Sequence, residues 1–349
     1  MKQSAQTIQI QKMAVFGLLA LLCLCMGCVK EQKELHPITI ISPPGFPAME
    51  QSVSELNITS EGMALGRRLF YDKQLSADVS TSCGTCHEQR AAFGTFEHDR
   101  SHGVFNSHTL RNAPPLFNLL WQKNYHWDGA YRTLHEEAAQ PLTGTIEMGM
   151  RFDQIKSYLE NDASYREGFK KVFGTWFIRP ELITRAISQF TATFISANSK
   201  YDRVKQGREQ FDNFEQSGYQ LFQSKCATCH PEPLFTDQSY RNIGLTVDPS
   251  LNDLGRFRIT GDRTDSLKFK VPSLRNVAAT SNYMHDGRFA TIQQCIRHYR
   301  YGVQSSSTVD PSVSNGITLT DTEEYNLIQF LKCLTDSSFL NDKRLARPN

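Results

Sequence analysis

Three things are scarce in this chain, and each scarcity excludes a class of protein. Only one apolar run stands out, "MAVFGLLALLCLCMG" at 13–27, and nothing else approaches the roughly 20 residues that a membrane-spanning helix needs. No long stretch alternates polar and apolar residues, so nothing argues for an extensive sheet. Charge of one sign is missing too. The 38 Lys and Arg fall to 36 when Lys2 and Lys12 are set aside with the apolar run, against 36 Asp and Glu. That balance gives no electrostatic case for nucleic-acid binding.

The apolar run itself has the length of a signal-peptide core and is short for a span. It ends in Cys25-Met26-Gly27-Cys28, which is similar to a bacterial lipoprotein cleavage box with Cys28 as the lipidated residue. Cys25 stands where that box usually has Leu, and ordinary signal-peptidase cleavage is the alternative. Either way the expectation is work outside the cytoplasm, in the periplasm, with 1–27 as signal peptide. Residues 28–55 are polar and proline-rich and read as a tether. About 320 residues remain, enough for two domains.

What is present is a repeated motif. Cys83-Gly84-Thr85-Cys86-His87 and Cys226-Ala227-Thr228-Cys229-His230 both spell C-x-x-C-H, the pattern of c-type haem attachment. Two thiols three residues apart can form thioethers to the two vinyl groups of one porphyrin. The adjacent His then offers its imidazole to the iron. A redox or zinc C-x-x-C that happens to precede His is the rival reading for one copy. Two copies in one exported chain point to two covalent haem c groups.

The surrounding pattern is mainly helical. Met63, Leu65, Leu69 and Phe70 fall at helical spacing in 60–72, with Ser60 as N-cap. Pro180 opens a helix over 179–195 with Ile183, Ile187, Phe190 and Phe194 on one face. Residues 213–230 run as helix into the second motif, with Gly218 allowing a close neighbour, and 320–336 form a last helix. The long segments 88–130 and 231–290 are rich in Gly, Pro, Asn and His, as loops wrapped round a cofactor are. The boundary falls near 198–210, giving domains at 56–205 and 206–349.

Eight blocks in order carry a family resemblance: "LGRRLFYDKQLS", "SCGTCH", "LRNAPPLFN", "HWDG", "QPLTGTIEMG", "LFQSKCATCH", "FKVPSLRNVA" and "YMHDGRFATIQQCIRHY". Over about 60–335 the chain resembles the bacterial di-haem cytochrome c peroxidases, and within them the MauG group. The resemblance implies two cytochrome-c-like helical domains, each binding one covalent haem, joined by long loops, with the active site in the N-terminal one. His87 and His230 would be the proximal ligands. Trp127 would relay electrons between the haems, although Ala130 stands where the peroxidases usually have Arg. Glu147 would be the distal carboxylate, with Gln140 and Pro141 shaping its pocket. Asn112, Thr280 and Asn282 would supply a calcium ion, Asn282 standing where Pro is common. His102 lies where peroxidases carry a His that blocks the first iron, with His98 and His108 close by; MauG-like members leave that iron open.

The second haem is where the resemblance divides. Counting sixteen from Tyr283 reaches Tyr299, where peroxidases have Met and MauG-like proteins have Tyr; His298 and Tyr301 are the neighbouring alternatives. The implied function is reduction of hydrogen peroxide with electrons from a small c-type cytochrome or copper protein. A MauG-like oxidase, using high-valent haem iron to modify a partner protein, is the alternative, and a non-catalytic electron carrier a third. A homodimer is open. Cys295 and Cys333 remain once the haem and export cysteines are assigned, and a disulfide between them is expected in an oxidising compartment. Two separate buried thiols are the other possibility.

Overall fold

Helix starts in this chain follow capping chemistry. The computed structural model describes residues 34–51 and 53–348, so the export segment 1–27 and Cys28 lie outside the described residues. Among these, seven helices reach ten residues or more: α1 (Ser60–Tyr71), α2 (Leu134–Thr143), α3 (Phe152–Asn161), α4 (Ala163–Phe173), α5 (Pro180–Thr191), α6 (Asn213–Lys225) and α7 (Asp321–Lys332). Thr59, not Ser60, caps α1, its hydroxyl accepting from Gly62 N at 3.0 Å. Reciprocal capping boxes open α2 (Thr133 with Glu136), α6 (Asp212 with Glu215) and α7 (Thr320 with Glu323), each cap contributing about 1 kcal/mol. Pro180 occupies the first turn of α5, where its missing N–H costs nothing. The helices expected at 179–195 and 320–336 end earlier, at Thr191 and Lys332, and the one expected to run into the second motif does so, ending at Lys225. Helices α2, α3 and α4 were not anticipated. No described helix is long and apolar enough to cross a membrane.

One helix crossing is built twice. In the first half α1 lies on α5, and a Cβ at Gly66 would stand 1.9 Å from Ala186 O. In the second α6 lies on α7, and a Cβ at Gly218 would stand 2.0 Å from Asn326 O. In both, the next obstacle is the Cβ of a phenylalanine one turn on, Phe190 or Phe330, at 2.9 Å. Only glycine lets these backbones approach so closely. Each crossing seeds its own hydrophobic cluster: Leu65, Leu69, Phe70, Ile183, Phe190 and Phe194 in one, and Phe222, Phe235, Leu327, Phe330 and Leu334 in the other. Burying each of these side chains contributes about 1.5–3 kcal/mol. Phe339 and Leu345, late in the chain, join the first cluster.

Residues from His36 on form one compact unit. The stretch read as a tether is therefore only partly one. Ile38 N donates to Ile58 O at 2.9 Å, Phe46 meets Trp121 edge-on at 5.2 Å, and Trp121 Nε1 donates to Pro47 O at 3.0 Å. Proline-rich composition hid the four apolar residues, Ile38, Ile40, Phe46 and Met49, that pack there. The long segments 88–130 and 231–290 are irregular, with short 3-10 turns, a four-residue helical turn at Phe257–Thr260 and a two-stranded antiparallel ladder, β1 (Tyr240–Arg241) on β2 (Phe269–Lys270). Cys295 and Cys333 are separate thiols, not a disulfide. Each Sγ donates back to the carbonyl one turn earlier, Thr291 O and Gln329 O, both at 3.4 Å.

Candidate active site

The first C-x-x-C-H forms a single helical turn, Cys83–Cys86, capped by a Ser82–Thr85 box. His87 follows, and its Nδ1 bonds Phe93 O at 2.7 Å. That bond fixes the tautomer and leaves Nε2 free for a metal. The second motif follows α6 directly. Its His230 Nδ1 faces two carbonyls, Phe235 O at 3.0 Å and Pro272 O at 3.1 Å. Burial lowers both histidines, the carbonyl bonds offsetting part of the effect, so both are held in the neutral, ligating form. Burial also pushes the Cys83 and Cys226 thiols up to about 12.

Beside the first motif lies a cavity of about 520 Å³, lined by Cys83, Cys86, His87, Trp127, Gln140, Pro141 and Glu147 among others. Such a volume lies within the range of about 300–1,000 Å³ usual for cofactor pockets. Glu147 reaches it because 144–150 folds back on the end of α2: Met148 N donates to Pro141 O at 3.1 Å and Glu147 N to Gly144 O at 2.9 Å. Its Oε2 and the Oε1 of Gln140 are buried without hydrogen-bond partners. Burial raises the Glu147 carboxyl, while the Gln140 amide and His126 pull it partly back.

Trp127 lies in a wall that serves both motifs. Its indole N–H donates to Asn112 O at 2.9 Å, and its own carbonyl accepts from Lys270 N at 2.6 Å. Two residues beyond Lys270, the Pro272 carbonyl meets His230. One three-residue run thus links Trp127 to the second motif. Arg111 clamps the same place, bonding Asp128 at 2.6 Å and Asp253 at 2.6 and 2.9 Å.

Tyr299 sits in a π-helical turn, His298–Gly302, that extends the short helix Ile292–Arg297. Burial raises its hydroxyl, and the thiols of Cys295, Cys226 and Cys229 add to the rise. Tyr301 is 73% exposed, and His298 Nε2 is taken up by Ile243 O at 2.8 Å. His102 is exposed and lies between His98, met edge-on, and the tilted ring of His108, ring centres 4.8 and 4.4 Å away. It is not among the cavity-lining residues.

Asn112 Nδ2 donates to Asp99 O at 2.9 Å, and Asn282 Nδ2 to Gly287 O at 3.2 Å. Asp99 O and Gly287 touch, since a Cβ on Gly287 would meet that oxygen at 1.9 Å. Thr280 O accepts from Tyr283 Oη at 3.0 Å. Among the described residues no group of three or more His, Cys, Asp or Glu is placed to hold a metal; this trio offers neutral oxygens instead.

Three cavity residues went unnoticed in the sequence. Glu137, on α2, pairs with His126 at 3.0 Å; burial would lower that histidine, but the carboxylate outweighs it and raises it. Lys270 is lowered to about 8 by burial, with Glu137 and Asp128 opposing, and its ammonium donates to Gln122 Oε1 at 2.8 Å and Asn124 O at 2.7 Å. His126 and Lys270 lie inside the quoted blocks "HWDG" and "FKVPSLRNVA", which was the available signal.

Two helical halves, each presenting a neutral histidine after a C-x-x-C pair, with a buried carboxyl over one of them, define a haem redox enzyme. The pattern of the family described as di-haem cytochrome c peroxidase matches residues 60–210. The chain is 32% identical over 286 residues to the methylamine utilization protein MauG of Methylorubrum extorquens, covering 79% of each. It is 35% identical over 277 residues to cytochrome c551 peroxidase of Nitrosomonas europaea, covering 77% of this chain and 78% of that one. A solved MauG-like protein associated with microbial copper homeostasis superposes with TM-score 0.81 at 32% identity, over 89% of this chain and 99% of that chain. The chain belongs to the di-haem cytochrome c peroxidase and MauG family, and is an enzyme of that family. The residues present fit haem: each imidazole is oriented through Nδ1, and the unpartnered Glu147 and Gln140 oxygens line the cavity beside the first.

Proposed function

We propose that this protein is an exported di-haem c-type enzyme that reduces hydrogen peroxide in the cavity beside His87, with electrons from a small c-type cytochrome or copper protein. The observation that carries the reading is Glu147, an upshifted carboxyl whose Oε2 is buried without a partner, on the cavity that His87 also lines. The haem, held there by Cys83, Cys86 and His87, would supply the redox equivalents for cleaving the O–O bond of a peroxide bound with one oxygen near the carboxyl. Glu147 takes the proton from that oxygen and returns it to the far one. A carboxyl raised toward working pH can serve both steps. One peroxide, two electrons and two protons then leave as two waters. Gln140 orients the carboxyl through its amide, and Trp127 relays electrons along the wall shared with the second motif.

In this proposal Cys83 and Cys86 with His87, and Cys226 and Cys229 with His230, carry the haems covalently in N- and C-terminal domains. Asn112, Thr280 and Asn282 hold one calcium ion, for which neutral oxygens suit a hard cation. The mature chain begins at Cys28 as a periplasmic lipoprotein.

A second reading, a MauG-like oxidase that modifies a partner protein, is favoured by Tyr299. Its buried hydroxyl is raised in part by the charges of Cys226 and Cys229, and a phenolate is a hard anionic donor that stabilises ferric iron. Stopped-flow addition of peroxide to the di-ferric and half-reduced protein separates the two. Turnover only after half-reduction supports the peroxidase; a long-lived oxidised species formed directly from the di-ferric protein supports the MauG-like oxidase. No reaction from either state refutes both.

A further inference from the structure

The C-terminal segment 336–346 returns across the first half of the molecule and ends on the elements behind His87. We propose that it is a clamp whose Phe339 is a positioning residue for His87, acting through Phe93 and setting the potential of the first haem. The inference rests on the haem reading above and goes beyond it.

The link between His87 and this segment is short. Among the described residues the carbonyl within hydrogen-bond distance of His87 Nδ1 is that of Phe93, at 2.7 Å, with the Pro114 carbonyl also favouring the protonated ring, whereas His230 has two at 3.0 and 3.1 Å. Drawing the Phe93 carbonyl away removes the 2.7 Å acceptor of the first imidazole and leaves both acceptors of the second in place. Phe93 and Ala92 both carry left-handed backbones, φ +58° and +53°, which side-chain-bearing residues adopt only when their surroundings hold them. Those surroundings are aromatic. Phe93 is fully buried, stacks on Phe194 at 4.0 Å and meets Phe339 at 5.7 Å. Phe339 also touches Phe117 and Phe194, at 6.3 and 6.4 Å.

The segment is tied down on both sides of Phe339. Asp336 Oδ2 accepts from Ala197 N and Asn198 N at 3.0 and 2.9 Å. Tyr71 Oη donates to Leu345 O at 2.8 Å. Gln89, inside the His87–Phe93 loop, donates through Nε2 to Phe339 O at 3.3 Å and to Asp342 O at 2.9 Å. The loop that supplies the carbonyl is thus fastened to the clamp by side chain as well as by packing. An acceptor on Nδ1 makes the imidazole a stronger donor, which favours ferric iron. Slackening the clamp should therefore raise the potential of the first haem and leave the second alone.

The test uses the full-length holoprotein, with haem content, spectroelectrochemical titration and thermal unfolding on each variant. Phe339→Ala should raise the first midpoint by about 59 mV, a tenfold change in a one-electron equilibrium, the lower end of the roughly 10–100-fold effects of such outer partners. Phe339→Leu should recover most of the shift. Leu159→Ala, a buried change elsewhere in the same cluster, should lower stability without moving either midpoint. An unmoved midpoint in two-haem Phe339→Ala, or an equal shift in Leu159→Ala, overturns the clamp alone. Wild-type protein lacking the first haem overturns both the clamp and the reading beneath it. Should Phe339→Ala not fold, Gln89→Ala must shift the same midpoint in the same direction, and no shift there overturns the clamp.

Discussion

Gly144→Ala should abolish peroxide turnover while leaving the fold nearly intact. Gly144 closes α2 with φ −60° and ψ 120°, values that alanine adopts freely. A methyl group there would stand 2.2 Å from Glu147 Oε2 and 3.2 Å from Gln140 Nε2, with no backbone atom among the three nearest. The carboxyl must therefore swing away, because it is the end of a flexible side chain and the helix end is not. Overpacking costs about 1–3 kcal/mol, and the stiffer unfolded chain returns about 0.4–1 kcal/mol. The melting temperature should then fall by only a few degrees, at about 2–4 °C per kcal/mol. Loss of a positioned acid–base group costs about 10²–10⁴-fold in rate. Steady-state peroxide consumption with an artificial reductant, beside thermal unfolding, reads both quantities. Glu147→Gln should lose as much, and the double variant no more, since both changes remove one function. Gly144→Ala turning over within threefold of the parent would refute the role given to Glu147.

Tyr299→Phe should abolish the low-spin ferric signal of the second haem while Tyr301→Phe leaves it intact, as read by electron paramagnetic resonance; an unchanged Tyr299→Phe spectrum removes the ligand assignment. Labelling of denatured, unreduced protein should modify both Cys295 and Cys333, and neither would be modified if they were bridged. His285, stacked on Phe269 at 3.7 Å, is lowered by burial from 6.5 to about 4. The unfolded chain thus binds this proton more readily, and stability is lost as pH falls from about 6.5 to 4, by about 3 kcal/mol at about 1.4 kcal/mol per unit. His285→Phe keeps the stack and should flatten that part of the acid-unfolding curve; an unchanged curve assigns the loss to other groups.

Much of the site was legible because its chemistry is local. C-x-x-C-H carries its own geometry, and Pro180 and Gly218 announce a helix start and a close crossing. The quoted blocks brought Trp127 and Glu147 to notice, and the fold brings both to the cavity wall. Helices α2 to α4 were missed although Ile155 with Leu159, and Tyr165 with Phe169, fall one turn apart on buried faces, because each face is interrupted by charge. Its capping signal, Thr133 with Glu136, went unread. The His126–Glu137 pair joins a loop to a helix, and no spacing rule announces such a contact. The role of 36–51 was hidden by composition, since four apolar residues among prolines look like linker until Trp121 is seen beneath them. The Cys295–Cys333 pairing was an argument from redox compartment, which says nothing about distance.

The setting of Trp127 has a consequence for how charge would pass through it. Its N–H is bonded to a neutral amide carbonyl, that of Asn112, and the neighbouring carboxylate of Asp128 is committed to Arg111. An indole that loses an electron becomes a strong acid, but among the described residues its hydrogen-bond partner is a carbonyl, which is a very weak base. If Trp127 relays electrons as proposed, the hole should stay a cation and the electron travel without a hydrogen nucleus. Transfer through Trp127 should accordingly show no solvent deuterium isotope effect and no dependence on bulk pH, and it should reverse as readily as it forms.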